Sequence, residues 1–320
     1  MIYSLLAKFR RYLYEEGFIK KKKLPKPVIS IGNLSVGGTG KTPLTIYISK
    51  LLQKNGYKVC VLSRGYKRKS KGTLIVSDGN NIYVNWQSSG DEPYLIALNK
   101  IPVVVSKSRY EAGLIALKNF DVDIFILDDG FQHFQLYRDL DILLIDAKKP
   151  FWEDKPLPFG RLREPVETYK YTDLFVITKA KKEEKKLIQK LKTFEKPFFF
   201  AKEVSNNITD FEKEYPLDFL KNKEIFLFSG LANNQQFIDY VSSLSKQIGF
   251  KVIGFKGFKD HFDYENFTLP KVSFYLTTEK DLVKVRDKLK NVYALKYQFK
   301  LPEEFDKLIL KTTEKLVNQS

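Results

Sequence analysis

The sequence predicts an α/β protein: a mostly parallel sheet with helices on both faces, then a second, smaller α/β domain. Three observations predict this. Short aliphatic runs recur along the chain, helix-period stretches lie between several of them, and a glycine-rich loop follows the first run and opens a helix. Strands that alternate with helices imply parallel pairing with both sheet faces covered. At about 100–200 residues per domain, the 320 residues suit two domains.

The elements follow in order. Ile2, Leu5, Leu6, Phe9, Tyr12 and Leu13 fall on one face of a helix, which Gly17 stops and Pro25 and Pro27 keep from continuing. Strands are expected at 28–31, 59–62, 103–105, 124–127, 142–145 and 174–178. Leu44, Ile48, Leu51 and Leu52 mark one intervening helix, and Ala112, Ile115 and Ala116 another. Residues 73–77 and 82–85 flank Asp78-Gly79-Asn80 and read as an inserted hairpin. Residues 181–192 are rich in Lys and Glu and read as an exposed helix or linker, so the expected domains are 1–182 and 183–320. Beyond the linker, strands are expected at 225–228, 252–255, 274–277 and 292–299. Phe237, Ile238, Val241, Leu244 and Ile248 form one helix face. Phe305, Leu308, Ile309, Thr312 and Leu316 mark a last helix, able to pack back on the first domain.

Composition excludes several classes. Hydrophobic residues at 43% and charged residues at 29% argue against a disordered chain. No apolar run is long enough for a membrane-spanning helix. A single cysteine, Cys60, forbids an internal disulfide and a Cys-based zinc site, which fits a reducing compartment. Two histidines, His133 and His261, argue against a multi-His metal site.

The net charge of +17 points to anionic partners: nucleic acid, an anionic membrane surface or a phosphorylated substrate. Residues 1–27 carry Lys8, Arg10, Arg11, Lys20, Lys21, Lys22, Lys23 and Lys26 against Glu15 and Glu16. Basic residues interrupt the apolar positions, unlike a signal peptide. The helix either docks on the protein's own core or lies in a membrane interface. Composition alone does not separate these. The densest basic run, 20–23, adjoins this helix and is not interleaved with aromatics along a groove, which disfavours a nucleic-acid-associated ATPase.

The strongest motif is Ser35-Val36-Gly37-Gly38-Thr39-Gly40-Lys41-Thr42. Its glycines let backbone N–H groups turn toward phosphate oxygens, and the following helix adds its positive end. Lys41 suits the β- and γ-phosphates, and the Thr42 hydroxyl suits Mg²⁺. Pro43 sits in the first helical turn, where a missing N–H costs nothing. The loop is that of a P-loop nucleotide-binding protein, with Ser35 in place of the first glycine. Such a protein needs an acidic residue at a neighbouring strand end. Asp128 and Asp129 supply one, at the carboxyl edge where α/β sheets bind ligands.

Together with this loop, five further motifs resemble the tetraacyldisaccharide 4′-kinase family, the lipid A kinases of Gram-negative bacteria. They are Ser63-Arg64-Gly65-Tyr66, Gly90-Asp91-Glu92-Pro93, Asp128-Asp129-Gly130-Phe131-Gln132-His133, Leu162-Arg163-Glu164-Pro165 and Thr278-Glu279-Lys280-Asp281. They span residues 28–281, and Ser35 is typical of the family. A different small-molecule P-loop enzyme, such as a carboxylate-activating synthetase, would lack the interfacial helix and the Asp128–His133 run.

The resemblance implies transfer of the γ-phosphate of ATP–Mg²⁺ to the 4′-hydroxyl of a tetraacyldisaccharide 1-phosphate, giving lipid IVA. It implies a peripheral enzyme on the cytoplasmic face of the inner membrane, held there through residues 1–27, with no obligate protein partner. Ser35 to Thr42 would bind the nucleotide, and Thr42, Asp128 and Asp129 the metal. Asp91 would be the general base, although by position alone it reads rather as a helix cap. His261, by itself a structural hydrogen-bonder, would orient or activate Asp91. Arg109, Arg163, Arg64 and His133 would line the cleft around phosphate groups. Residues 278–281 either cap a helix or line the cleft. Lys67, Arg68, Lys69 and Lys71 read as a solvated face.

Overall fold

The computed structural model describes residues 2–180 and 185–319, with side chains from Ala7 onward. The expected apolar side chains of Ile2, Leu5 and Leu6 and the segment 181–184 thus lie outside the described residues. The chain forms two compact units. One runs to Glu203 and resumes at Phe299, and the other is Val204–Gln298.

The first unit begins with α1 (Ile2–Glu15) and holds β1 (Val28–Gly32), α2 (Lys41–Lys54), β2 (Val59–Ser63), β3 (Leu74–Asp78), α3 (Trp86–Ser89), α4 (Asp91–Leu98), β4 (Pro102–Val105), α5 (Arg109–Asn119), β5 (Ile124–Asp128), β6 (Leu140–Asp146), β7 (Leu174–Thr178), α6 (Lys185–Lys192) and β8 (Phe198–Phe200). Its eight strands run in the order β3-β4-β2-β5-β1-β6-β7-β8. Only β3 is antiparallel, against β4. β1, β2, β5 and β7 are buried along their whole length, which is why they read as continuous aliphatic runs. β1 lies between β5 and β6, with Ile31 opposite Asp128. That register sets the glycine-rich loop beside the acidic strand end.

The unit boundary falls after Glu203, not near 182. Leu187 and Leu191, one turn apart on α6, are buried with Phe175 and Ile177. β8 then pairs in parallel with β7. The Lys/Glu-rich stretch is the polar face of a helix docked on the first sheet. The expected hairpin is reduced to a short one, with Tyr83 N–H donating to the Val76 carbonyl at 2.9 Å across the 78–80 turn. Its second arm forms no full strand, Ile82 bridging Ser77, and β3 pairs along its length with β4 instead.

The last helix, α9 (Glu303–Asn318), belongs to the first unit. Tyr47 of α2 donates to Asp306 Oδ1 at 2.7 Å, and the Phe305 ring lies against Tyr47 and Phe199.

The second unit contains β10 (Asn207–Thr209), β11 (Glu214–Pro216), β12 (Glu224–Ser229), α7 (Asn234–Ile248), β13 (Lys251–Gly257), β14 (Tyr275–Thr278), α8 (Glu279–Val285) and β15 (Val292–Leu295). Between the units in sequence lie β9 (Lys202–Val204) and β16 (Gln298–Lys300), which pair with each other. The single strand expected over 292–299 is therefore two. The six-stranded order is β11-β10-β15-β14-β12-β13, with β13, β12, β14 and β15 parallel. Ile225 and Leu227 pack with Phe237, Val241 and Leu244 of α7, whereas Phe226 and Phe228 pack with Leu282 and Val285 of α8. Alternate residues of a strand face opposite ways, so the two helices cover opposite faces.

Arg11 of α1 is not part of a solvent-facing basic surface. It is 1% exposed, and so is Glu164. Its guanidinium donates to both Glu164 oxygens, at 2.6 and 3.0 Å, and to the Phe131 carbonyl at 3.1 Å. The rings of Phe131, Phe134 and Tyr171 lie 4.3–4.9 Å from it. A buried charge persists only when paired and hydrogen-bonded. Removing one partner strands the other, at a cost of about 3–5 kcal/mol, while replacing both by apolar residues is close to neutral. Arg11→Ala should therefore lower unfolding free energy by ~3–5 kcal/mol, and Arg11→Met with Glu164→Met should recover most of it. Denaturant melts check this; a single-variant loss below ~1 kcal/mol would contradict it.

Candidate active site

The loop from Ser35 to Thr42 leaves β1 and opens α2. Gly40 precedes Lys41 with φ of 93°, and a Cβ there would come within 2.5 Å of the Phe299 ring, so no side chain fits. The loop is held from outside. Val36 N–H donates to the Arg161 carbonyl and Arg163 N–H to the Leu34 carbonyl, each at 2.8 Å. Thr178 donates its hydroxyl to the Thr39 carbonyl at 3.1 Å, and Lys179 donates to the Gly38 carbonyl at 2.6 Å. Inside it, Asn33 Nδ2 donates to the Ser35 carbonyl at 2.7 Å.

Lys41 lies 3.7 Å from Asp129 and donates to Asn33 Oδ1 at 3.3 Å. Thr42 is buried beside it in sequence. Asp129 follows β5 in a left-handed conformation, φ 53°, and Arg163 Nη1 contacts both its oxygens at 2.9 and 2.8 Å. Burial alone would raise Asp129, but Lys41 and Arg163 outweigh it and hold the carboxyl below its ordinary value. Asp128 is held differently. It accepts from Thr45 at 3.2 Å and Ser63 at 3.5 Å. Burial first, then the charges of Glu92 and Asp129, push it up to about 7.

Oxygen donors at Thr42 and Asp128, crowded by other carboxylates, fit Mg²⁺, which favours hard oxygen ligands and retains waters and phosphate oxygens. Among the described residues no three acidic, Cys or His side chains form a complete metal cage.

Arg109, at the start of α5, is buried and donates to the Ser106 and Lys107 carbonyls. Burial, then Arg64, pull it down to about 10. Arg68 is half-buried and likewise lowered by burial, so it is not part of a solvated basic face. His133 carries no charge. Burial, then Arg109, Arg138, Arg10 and Arg64, pull it down to about 3, and the imidazole is neutral near pH 7.

Asp91 is the first residue of α4, buried, and accepts from Glu92 N–H at 2.9 Å. The cap position itself belongs to Gly90. His261 lies in the second unit, half-buried, at φ 58°. Thr278 caps α8 by accepting from Asp281 N–H at 3.3 Å, and Asp281 is buried.

The structure thus brings Lys41, Thr42, Asp128, Asp129, Arg163 and Arg109 together in one unit. It adds Glu92, Asn33, Ser63 and Thr45, which sequence reasoning did not single out. Glu92 stood within a recognised motif, but its effect on Asp128 depends on how α4 packs.

This fold and site define a P-loop protein equipped for phosphoryl transfer. Over residues 1–314 the chain matches the family described as tetraacyldisaccharide-1-P 4′-kinase. It is 47% identical to the tetraacyldisaccharide 4′-kinase of Aquifex aeolicus over 311 residues, covering 95% of this chain and 93% of that protein. It is 36% identical to the enzyme of the same name from Desulfotalea psychrophila, covering 97% and 94%. A crystal structure of LpxK from Aquifex aeolicus in complex with ATP superposes with a TM-score of 0.82 at 44% identity, covering 98% of this chain and 96% of that one. The chain belongs to the tetraacyldisaccharide 4′-kinase family.

Asp128 gives a pH-dependent prediction. With its carboxyl pushed up to about 7, the native state keeps a proton that the unfolded chain releases above 3.8, so stability falls as pH rises through that window. Asp128→Asn should stabilise the nucleotide-free protein at pH 8 by on the order of 2–4 kcal/mol, less at pH 5, while lowering turnover at least ~100-fold. Melting curves at both pH values and a transfer assay check it. An equal gain at both would show that Asp128 carries no native proton.

Proposed function

We infer that the protein is an ATP-dependent tetraacyldisaccharide 4′-kinase, transferring the γ-phosphoryl group to the 4′-hydroxyl of tetraacyldisaccharide 1-phosphate to give lipid IVA. The observation that carries this is the Lys41 loop set one strand from Asp128 and Asp129, in a chain matching the family over residues 1–314. The 4′-oxygen bonds to the γ-phosphorus, the bond to the β-bridging oxygen breaks, ADP leaves, and the hydroxyl proton passes to a base.

Lys41 and the loop N–H groups place the β- and γ-phosphates. Thr42 and Asp128 would hold Mg²⁺, which when bound draws charge from those phosphates. Asp129 has both oxygens on Arg163, so its part is to fix Arg163 and Lys41 near the transferring group. Arg109 adds buried positive charge to the same unit. Asp91 is our choice of base, with His261 serving the same proton transfer. Lys41→Ala should lower transfer to the disaccharide at least ~100-fold with little change in melting temperature. Near-normal turnover in the folded variant would remove the nucleotide site from this loop.

We also propose that α1 and the segment after it rest on an anionic membrane at the cytoplasmic face. No helix among the described residues is long and apolar enough to cross a membrane. Phe9 is 58% exposed, Tyr12 48% and Phe18 70%, with Lys8, Arg10 and Lys20 exposed around them. Aromatic side chains among cations suit a headgroup interface, where each basic residue contributes about 1 kcal/mol. Replacing Phe9, Tyr12 and Phe18 with Ser should weaken flotation with anionic vesicles. It should also raise KM for the lipid more than KM for ATP. Unchanged flotation would refute this surface.

A further inference from the structure

Asp281 is a buried carboxylate that the transfer scheme above does not use. It is 1% exposed and lies on α8, within the Thr278-Glu279-Lys280-Asp281 motif. Its role as a helix-start residue occupies only its backbone N–H, which Thr278 accepts. The carboxylate has partners of its own. Oδ2 accepts from Gly230 N–H at 2.9 Å and from the Thr278 hydroxyl at 2.7 Å. The Gly230 carbonyl in turn accepts from the His261 N–H at 3.3 Å. A Cβ on Gly230 would come within 2.9 Å of Asp281 Oδ1, 3.2 Å of the Lys259 carbonyl and 3.3 Å of the Tyr264 hydroxyl. The carboxylate, the glycine and the His261 loop are therefore in direct contact.

α8 grips the same loop at two more points. Lys284, itself buried, donates to the Phe262 carbonyl at 3.1 Å. Lys288, just beyond α8, donates to the Tyr264 carbonyl at 2.6 Å. Phe258 and Phe262 stack with ring centres 4.6 Å apart, and Tyr264 meets both edge-on. His261 and Tyr264 both have left-handed backbone conformations, at φ 58° and 55°. Non-glycine residues hold such conformations only where their surroundings over-determine them. Here α8 supplies much of the constraint, at the loop that carries the histidine.

We propose that Asp281, seconded by Lys284, is a positioning residue for His261, fixing through Gly230 the loop conformation that aims the imidazole. This rests on the reading that His261 serves proton transfer. It gives the 278–281 motif a part in turnover without contact to either substrate. The carboxylate acts by accepting hydrogen bonds, so an amide should largely replace it and a methyl group should not.

The test uses the full chain with ATP and the disaccharide 1-phosphate in detergent. Asp281→Ala should lower kcat about tenfold or more with KM for ATP nearly unchanged, and Asp281→Asn should restore most of it. In a His261→Ala background, Asp281→Ala should cost little further, since residues acting through one another are non-additive. A second readout needs no turnover. The chain has only two histidines, so NMR of the ring protons, with His133→Gln for assignment, reports His261 directly. Asp281→Ala should shift the His261 signals and leave those of His133 in place. Lys284→Met, which leaves the carboxylate intact, should do the same to a smaller degree, and serves if Asp281→Ala does not fold. Unmoved His261 signals, or an equal Asp281→Ala loss with and without His261, would overturn the proposal. A wild-type rate for His261→Ala would instead overturn the reading of His261, while shifted ring signals would still support the positioning.

Discussion

The segment 161–164 is where the first unit is tied together. Its backbone runs beside the start of the glycine-rich loop, giving the Arg161 carbonyl to Val36 and taking the Leu34 carbonyl with Arg163 N–H. The side chain of Arg163 holds Asp129, and that of Glu164 holds Arg11. Loop, acidic strand end and first helix thus share one short stretch of chain. Moving it would disturb all three, and the helix most of all, because the Arg11–Glu164 pair is buried and does not tolerate the loss of one partner. This explains how a helix so rich in cations is firmly seated. Its anchor is a charge neutralised in the interior, caged by three aromatic rings.

The same unit concentrates unlike charges at poor electrostatic terms. Arg109 is drawn down by burial and by Arg64. Asp128 is drawn up by burial, Glu92 and Asp129. Each would be more comfortable in water. Groups held against their solvation preferences suit a phosphoryl-transfer site, where a polyanion and its divalent cation would relieve both strains. Asp129 is satisfied already and stays low. Two adjacent aspartates therefore have different electrostatic roles despite an indistinguishable local sequence.

Much of the fold was legible in the sequence because buried parallel strands leave uninterrupted aliphatic runs. β1, β2, β5 and β7 all gave that signal. The three-residue strands β8 to β11 gave none, being too short for any period. The unit boundary was misplaced because α6 exposes mostly Lys, and only Leu187 and Leu191 reveal its docked side. The nucleotide loop and the acidic pair were legible because their chemistry is written in consecutive residues. Arg11 with Glu164 was not, since 153 positions separate them and nothing in the composition of α1 sets Arg11 apart. Nor was the neutrality of His133, which follows from its burial first and then from four arginines, all of which only the fold supplies.

The excess of positive charge is therefore not one property. Arg11 is buried and stabilises the docking of a helix. Lys41 and Arg163 are committed to Asp129. Lys179 is spent on the Gly38 carbonyl and Asp146. Lys284 holds a loop carbonyl in the other unit. What remains for a distant anionic partner is smaller than the formal count, and Lys8, Arg10 and Lys20 of it lie beside the exposed rings of Phe9, Tyr12 and Phe18. Screening lets exposed charges act over only about 8–10 Å, so clustered cations beside exposed rings matter more for surface binding than the net total. On the membrane contact proposed above, such cations would meet anionic headgroups while the neighbouring rings supply apolar contact.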